Sequence, residues 1–409
     1  MGDQIAGILS SGRLGALESD LFGVQESLIC TGYSFIVWYQ GLLARGRAAE
    51  GGFVRKFNLV CVSLVLALTS NAHSWDSKPK ITKAAAKSTA SAPLRLVQTI
   101  SLKDIDGDFD HFGLDLKGNR LFLTAEDHKS IEVFDLKSGR HLRSVGGFGE
   151  PHYVRYLPQA NKLVVVDGGA AEVKFLKGDT YAPIDSVKLM EDADSSAFDP
   201  STGYLYTVNG GKGANLKYSA VSITDTNTDK HIADIRIESP QLEAIALEPS
   251  SPRMFVNDTA NSRVLVIDRE KRAIVETWPI TAGQKNSPMA LDEANHRLLV
   301  VTRTPPRLVV LDSTSGKQVA SLPSATGADD IFLDPARKRI YVSTRAGVVV
   351  VYGQTDADHY QVVANVPSSP GGKTAIFVPE LSRLYVAVCK ADGSKVGSKM
   401  ASVKVFDVK

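Results

Sequence analysis

The chain has 409 residues, 43% apolar and 22% charged, which is enough to build a soluble core of substantial size. Lys and Arg outnumber Asp and Glu by only 47 to 45, so overall charge excludes a generally basic protein drawn to nucleic acid or an anionic membrane. Cys30, Cys61 and Cys389 are the three cysteines, and only Cys389 lies beyond residue 94, so no internal disulfide can staple that region. In the stretch AVC it reads as a small buried residue at the end of a strand.

The N-terminal quarter is read as a leader and its surroundings. Arg55 and Lys56 precede an apolar run of ten, LVCVSLVLAL (59–68), and Ala72-His73-Ser74 then places small residues at a cleavage site. That order is a secretory signal peptide over residues 54–74, too short in its apolar part to stay in a bilayer. Residues 1–53 are then an extension upstream of the true start near Val54, or disordered, and no methionine occurs between Met1 and Met190. A membrane segment over 28–44 is the competing expectation, but Thr31, Gly32, Ser34 and Gln40 interrupt it. Residues 75–93, rich in Lys, Ala, Ser and Pro, are expected to form a flexible linker. Export to the periplasm or cell exterior, without a permanent membrane span, follows as the expectation.

From residue 94 onward one phrase recurs. A short apolar run appears as LFLT at Leu121, LVVV at Leu163, LYTV at Leu205, MFVN at Met254, LLVV at Leu298, IYVS at Ile340 and LYVA at Leu384. The steps between these starts are 42, 42, 49, 44, 42 and 44 residues. A β-rich repeat of that period predicts an all-β, seven-bladed β-propeller with one four-stranded antiparallel blade per repeat. Approximate blade limits are 104–147, 148–189, 190–237, 238–280, 281–324, 325–368 and 369–409. In blade 1 the strands are expected over 111–116, 120–125, 130–136 and 140–145, joined by Gly, Asn and Ser turns that tolerate tight hairpin angles. Blade 3 carries an insertion, GGKGANLKYS (210–219), between its second and third strands. The last repeat ends after a third strand, whereas LRLVQTISL (94–102) precedes blade 1 and reads as an outer strand. Placing 94–102 in the last blade closes the ring and leaves no long open edge. The closed ring is expected to act as a monomer.

The second strands quoted above, the DP-type turns (DPSTGYL from Asp199, DPARKRI from Asp334) and third strands ending in an aspartate before a glycine turn (Asp135 to Gly139, Asp312 to Gly316) resemble the YVTN-repeat, YncE-like family over residues 94–409. That resemblance implies a seven-bladed propeller; members include surface-layer, periplasmic and nucleic-acid-binding proteins as well as enzyme-like propellers. The Trp-Asp and Gly-His pairs of WD repeats are absent.

Equivalent positions on a ring must face a common space. Four residues before the apolar anchor of each inner strand stand Asp110, His152, Asp194, Glu243, Ser287, Asp329 and Lys373, with His111 beside the first. These are the expected ligand-binding residues of the channel mouth, and Asp108, Glu150, Asp192 and Asp330 add to its negative sign. Within it, Asp110, His152, Asp194 and Glu243 form an acidic arc with an imidazole that suits a divalent cation, Ca²⁺, Mg²⁺, Zn²⁺ or Mn²⁺; a hydrated polar rim with Lys373 paired to Asp329 and Asp110 is the plainer expectation. The acid-dense DIDGDFD (104–110) lacks EF-hand spacing and reads as a turn. His141 and His296 fall at strand edges and are expected at the surface.

No G-x-S-x-G, H-E-x-x-H, P-loop or C-x-x-C-H pattern occurs, so no catalytic residue is assigned. A non-enzymatic binding or scaffold module, taking a small molecule, peptide or protein at the mouth, is the leading expectation. A metal-assisted hydrolase of lactonase-like type is the alternative, with the arc's cation polarising a carbonyl. Single-stranded nucleic acid binding ranks third, because Phe109, Phe148 and Tyr153 sit among acids rather than in a basic groove.

Overall fold

The second strand of every repeat is largely apolar because both of its faces are buried. A computed structural model of the chain describes residues 92–391 and 396–409; the signal peptide, the upstream extension and nearly all of the linker lie outside the described residues. The described chain forms seven four-stranded antiparallel sheets, each made of strands adjacent in sequence except the last. Blade 1 shows the pattern, with β2 (Phe109–Asp115), β3 (Arg120–Ala125), β4 (Ser130–Asp135) and β5 (His141–Val145) in order from the channel outward. Here β2 starts two residues earlier than expected and ends one earlier, at Asp115, whose side chain braces the turn that follows. Its carboxylate accepts from Gly118 N at 2.8 Å and pairs with Arg120 at 2.7 Å.

The core lies between blades. Along β3, Leu121 packs into the cluster shared with the last blade, and its neighbour Phe122 into the cluster shared with blade 2. Leu163 and Val164 divide in the same way, as do Leu205 and Tyr206, Met254 and Phe255, Leu298 and Leu299, Ile340 and Tyr341, and Leu384 and Tyr385. Successive strand residues point to opposite faces, so each second strand serves two inter-blade cores at once. Cys389 is buried and free at the edge of the first of these clusters.

The strand β1 (Leu94–Leu102) pairs with Ala401–Val408 and completes the last sheet. The pairing of third with outer strand is interrupted at a corresponding place in every blade, from Val133/Phe134 in blade 1 to Val351/Tyr352 in blade 6. β1 shows the same irregularity, between Leu96 and Gln98. It is therefore a true outer strand, twisted like its six counterparts so that no flat edge is offered to another chain.

Basic residues tie neighbouring blades at the face opposite the mouth. The first residue of the second strand is Arg or Lys in six blades, and each donates to a carbonyl on the next blade: Lys162 Nζ to Thr226 O at 3.0 Å, Arg253 to Ser313 O at 2.8 Å, Arg297 to Ala357 O at 3.1 Å. Arg120 to Gly178 O and Arg339 to Lys409 O repeat the contact, and Arg383 to Lys137 O spans the closure at 3.3 Å. Blade 3 has Tyr204 instead. There the tie runs backward, from Arg269 of blade 4 to Asp199 of blade 3 at 2.5 Å. Among the described residues no helix is long and apolar enough to cross a membrane.

Candidate functional site

Breaks in the inner-strand pairing build the mouth. The registers of the first and second strands slip between Phe109 and Phe112, Pro151 and Tyr153, Leu242 and Ile245, Asn286 and Met289, and Ala328 and Asp330. Asp110 with His111, His152, Glu243, Ser287 and Asp329 occupy those slips, where a bulge turns a side chain out of the ladder. Asp194 and Lys373 reach the same level from the loops just before their strands, Ser196–Asp199 and Thr374–Val378. All eight residues expected at the mouth line one cavity of about 640 Å³. Of the flanking acids, Asp108 and Asp330 line it; Glu150 and Asp192 do not.

Three further charged residues of the cavity escaped the sequence reading. Glu126, Arg303 and Arg345 also line it, and each stands five residues past the start of its apolar run at Leu121, Leu298 or Ile340. The signal is present in the sequence: the ends of the second strands, like the starts of the first, are equivalent around the ring and form a second circle of positions. Its other members are Gly168, Gly210, Thr259 and Cys389.

The charges are paired unevenly. Lys373 Nζ lies 2.8 Å from Asp329 and 3.5 Å from Asp110, and Arg303 holds the other oxygen of Asp329 at 2.7 Å. His152 Nδ1 is 2.8 Å from Asp110, His111 Nδ1 is 3.6 Å from Asp330, and Arg345 binds Asp108 at 2.6 Å. Asp330 also accepts from Ala375 N at 2.7 Å, which fixes it. Among the described residues, the Glu243 carboxylate accepts only from Ser287 Oγ at 3.3 Å and Gln241 Nε2 at 3.2 Å, and the Asp194 carboxylate has no hydrogen-bond or ion-pair partner nearer than His152 at 3.9 Å. For a metal, the donor atoms that come within 4.8 Å of one another belong to Asp110, His111 and Asp194. Glu243 is not in that trio, and His152 turns its Nδ1 to Asp110.

Burial sets the protonation states together with this pairing. Burial works against charge on both imidazoles, but Asp110 with Asp330 and Asp194 raises His111, and Asp110, Asp194 and Glu126 raise His152, each to about 10. Burial also works to raise Asp110, yet His111, Lys373 and His152 hold it well below the usual carboxylate range. Burial and Asp194 push Glu243 up to about 7, and burial pushes Glu126 to about 7 despite Lys373. All four raised groups bind protons more tightly when folded. Stability linked to the imidazoles is therefore complete below 6.5 and lost as pH climbs through about 10, while that linked to Glu126 and Glu243 is lost between 4.5 and about 7. Urea midpoints in divalent-free buffer are expected to peak near about pH 5 and fall steadily toward about pH 10. A His152→Gln variant should flatten the alkaline limb, and an unchanged limb would contradict the pairing.

The other sequence expectations resolve simply. DIDGDFD forms the turn into blade 1, with Gly107 at φ +92° and Asp108 N bonded to Asp127 at 2.8 Å. His296 and His141 are exposed residues; the ring of His141 reaches the buried Glu132 at 2.6 Å.

No family model matches the chain, and no curated protein does. Among solved structures it is similar to a chain of Kuenenia stuttgartiensis hydrazine synthase, with 16% identity and a TM-score of 0.60 over 69% of this chain and 93% of that one. It is likewise similar to a chain in a crystal structure of the mitotic checkpoint complex, with 11% identity and a TM-score of 0.63 over 83% and 99% of the two chains. At such identities the likeness is one of architecture alone, and what it establishes is that this chain folds as a seven-bladed β-propeller.

Proposed function

We propose that this chain is an exported, YncE-like binding module that captures a small ligand at the mouth of its propeller. Propellers serve generally as binding scaffolds, their loops free to vary around a rigid ring. The observation that carries the reading is the cavity of about 640 Å³, to which every one of the seven blades contributes a polar or charged side chain at the same level. That volume falls within the roughly 300–1,000 Å³ of small-ligand sites. Export rests on residues 54–74 alone and is tested by mass spectrometry of the mature N-terminus, a first residue near Trp75 being the expected result. Binding is tested by a thermal-shift screen of charged and neutral metabolites against the wild type and an Asp194→Asn/Glu243→Gln variant. Ligands that stabilise only the wild type support the reading, and a screen in which the two respond alike refutes it.

A second reading, metal-assisted hydrolysis, is favoured by the Asp110–His111–Asp194 trio. A divalent ion there would polarise a substrate carbonyl and activate water. Metal analysis of the purified chain decides: a stoichiometric ion that disappears in Asp194→Ala would move this reading ahead.

A further inference from the structure

Resting on the binding reading, we infer that the mouth takes a small organic cation, an ammonium or guanidinium head on an apolar body, with Asp194 and Glu243 receiving the head. The cavity is lined by seven carboxylates and five basic side chains, and the way they pair selects the ligand. Every base already has a carboxylate: Arg303 and Lys373 share Asp329, Arg345 holds Asp108, His152 holds Asp110 and His111 faces Asp330. An anionic ligand would have to break one of these pairs to find a countercharge. On the carboxylate side the position is reversed. No described Lys or Arg forms an ion pair with Asp194, Glu243 or Glu126, and Glu243 is held by neutral donors only. Asp194, with only the more distant His152 beside it, and Glu243, held by neutral donors, lie in a partly desolvated cavity and favour a ligand that brings its own positive charge.

A bare divalent ion fits less well than an organic one. Asp110, the middle member of the trio, already faces His152 at 2.8 Å, Lys373 at 3.5 Å and His111 at 3.9 Å, so an ion there would displace bonded partners. The cavity is also far larger than an ion needs, and apolar residues form part of its lining: Phe112, Met289, Ile331, Phe332 and Ile376. Tyr153, its ring T-shaped to that of His111 with centroids 6.5 Å apart, adds an aromatic side chain to the lining. A cation among aromatic and apolar side chains is recognised by charge at one end and by burial at the other.

Isothermal titration of the full mature chain with 2-phenylethylammonium, n-butylguanidinium, butyrate, benzyl alcohol, MgCl₂ and ZnCl₂ tests the inference. Binding of the two organic cations is expected, weakened about tenfold to a hundredfold by Glu243→Gln and by Asp194→Asn. Both are near-isosteric, and unchanged circular dichroism will verify their folding. Arg272→Gln, on the exposed turn between the third and outer strands of blade 4, should bind like wild type. Butyrate or benzyl alcohol binding in their place, sensitive to the same variants, would overturn the cation class yet leave the binding reading standing. Stoichiometric Mg²⁺ or Zn²⁺ dependent on Asp194 would overturn it in favour of the metal. If no probe binds, the cation inference falls, and the metabolite screen decides separately whether the binding reading falls with it.

Discussion

A chain lacking residues 94–102 is expected to lose cooperative unfolding altogether, rather than merely some stability. The strand β1 is last in its sheet and has one neighbour, so by position alone it resembles any outer strand. Its difference is topological: it is the link that joins the two ends of the described chain. Leu94, Ile100 and Leu102 are buried, the first against the core shared by blades 6 and 7 and the other two against that shared by blades 7 and 1. Losing the burial of three aliphatic side chains costs roughly 4.5–9 kcal/mol, which approaches the whole net stability of a domain, about 5–15 kcal/mol. The deletion also bares the edge of Ala401–Val408, a mostly buried apolar strand, so self-association should accompany the loss. Size-exclusion chromatography and urea titration followed by circular dichroism measure both effects. A truncated monomer with an unshifted midpoint would mean that the ring is held without its closing strand.

Lys373→Met is the second large effect. Lys373 is buried, and its ammonium serves Asp329 and Asp110 together, while its carbonyl accepts from Ser343 Oγ at 2.5 Å. Met keeps the length of the stem but leaves two buried carboxylates without their shared partner. Removing one member of a buried ion pair costs about 3–5 kcal/mol, and that loss is expected at neutral pH. Its pH dependence has a definite sign. In the wild type Asp110 and Asp329 are held below 3.8 despite burial, by His111 and Lys373 for the first and by Lys373 for the second. Their contribution is therefore present above 3.8 and lost on acidification. Without Lys373 both pKa values rise, although His111 and His152 still lower Asp110 and Arg303 still lowers Asp329, so the variant's carboxylates take up protons sooner on acidification than those of the wild type. The difference between the two proteins should thus shrink as pH falls below about 4 in urea unfolding. A penalty below about 1 kcal/mol, or one independent of pH, would show that the ammonium is dispensable.

How much of this was legible in the residues varies with the kind of interaction. The seven apolar runs at nearly constant spacing reveal the blades, because a strand buried on both faces must be apolar throughout. The outer strand missing from the last repeat and the spare one at 94–102 likewise imply closure, since an open edge is costly. Because a repeat carries its geometry from blade to blade, ring equivalence placed seven expected residues on one cavity, and chain adjacency an eighth, His111. The same reasoning stopped one step short of Glu126, Arg303 and Arg345, as only the starts of the inner strands were compared. Export belongs to another category: residues 54–74 lie outside the described fold, and it stands on its own test.

Spacing, composition and apolar pattern by themselves determined the number of blades, the closing strand and the level of the mouth, since these follow from local hydrogen bonding and burial repeated along the chain. Ring equivalence also anticipated that Lys373 would join Asp329 to Asp110, 219 positions apart. The remaining pairings were decided only by the tertiary structure: Arg345 finds Asp108 across 237 positions of chain. Arg269 takes over at the junction where Tyr204 replaces the usual basic residue. Coulombic pairing depends on separations of a few ångström in a partly dry cavity, and a change of that size leaves no trace in the order of residues.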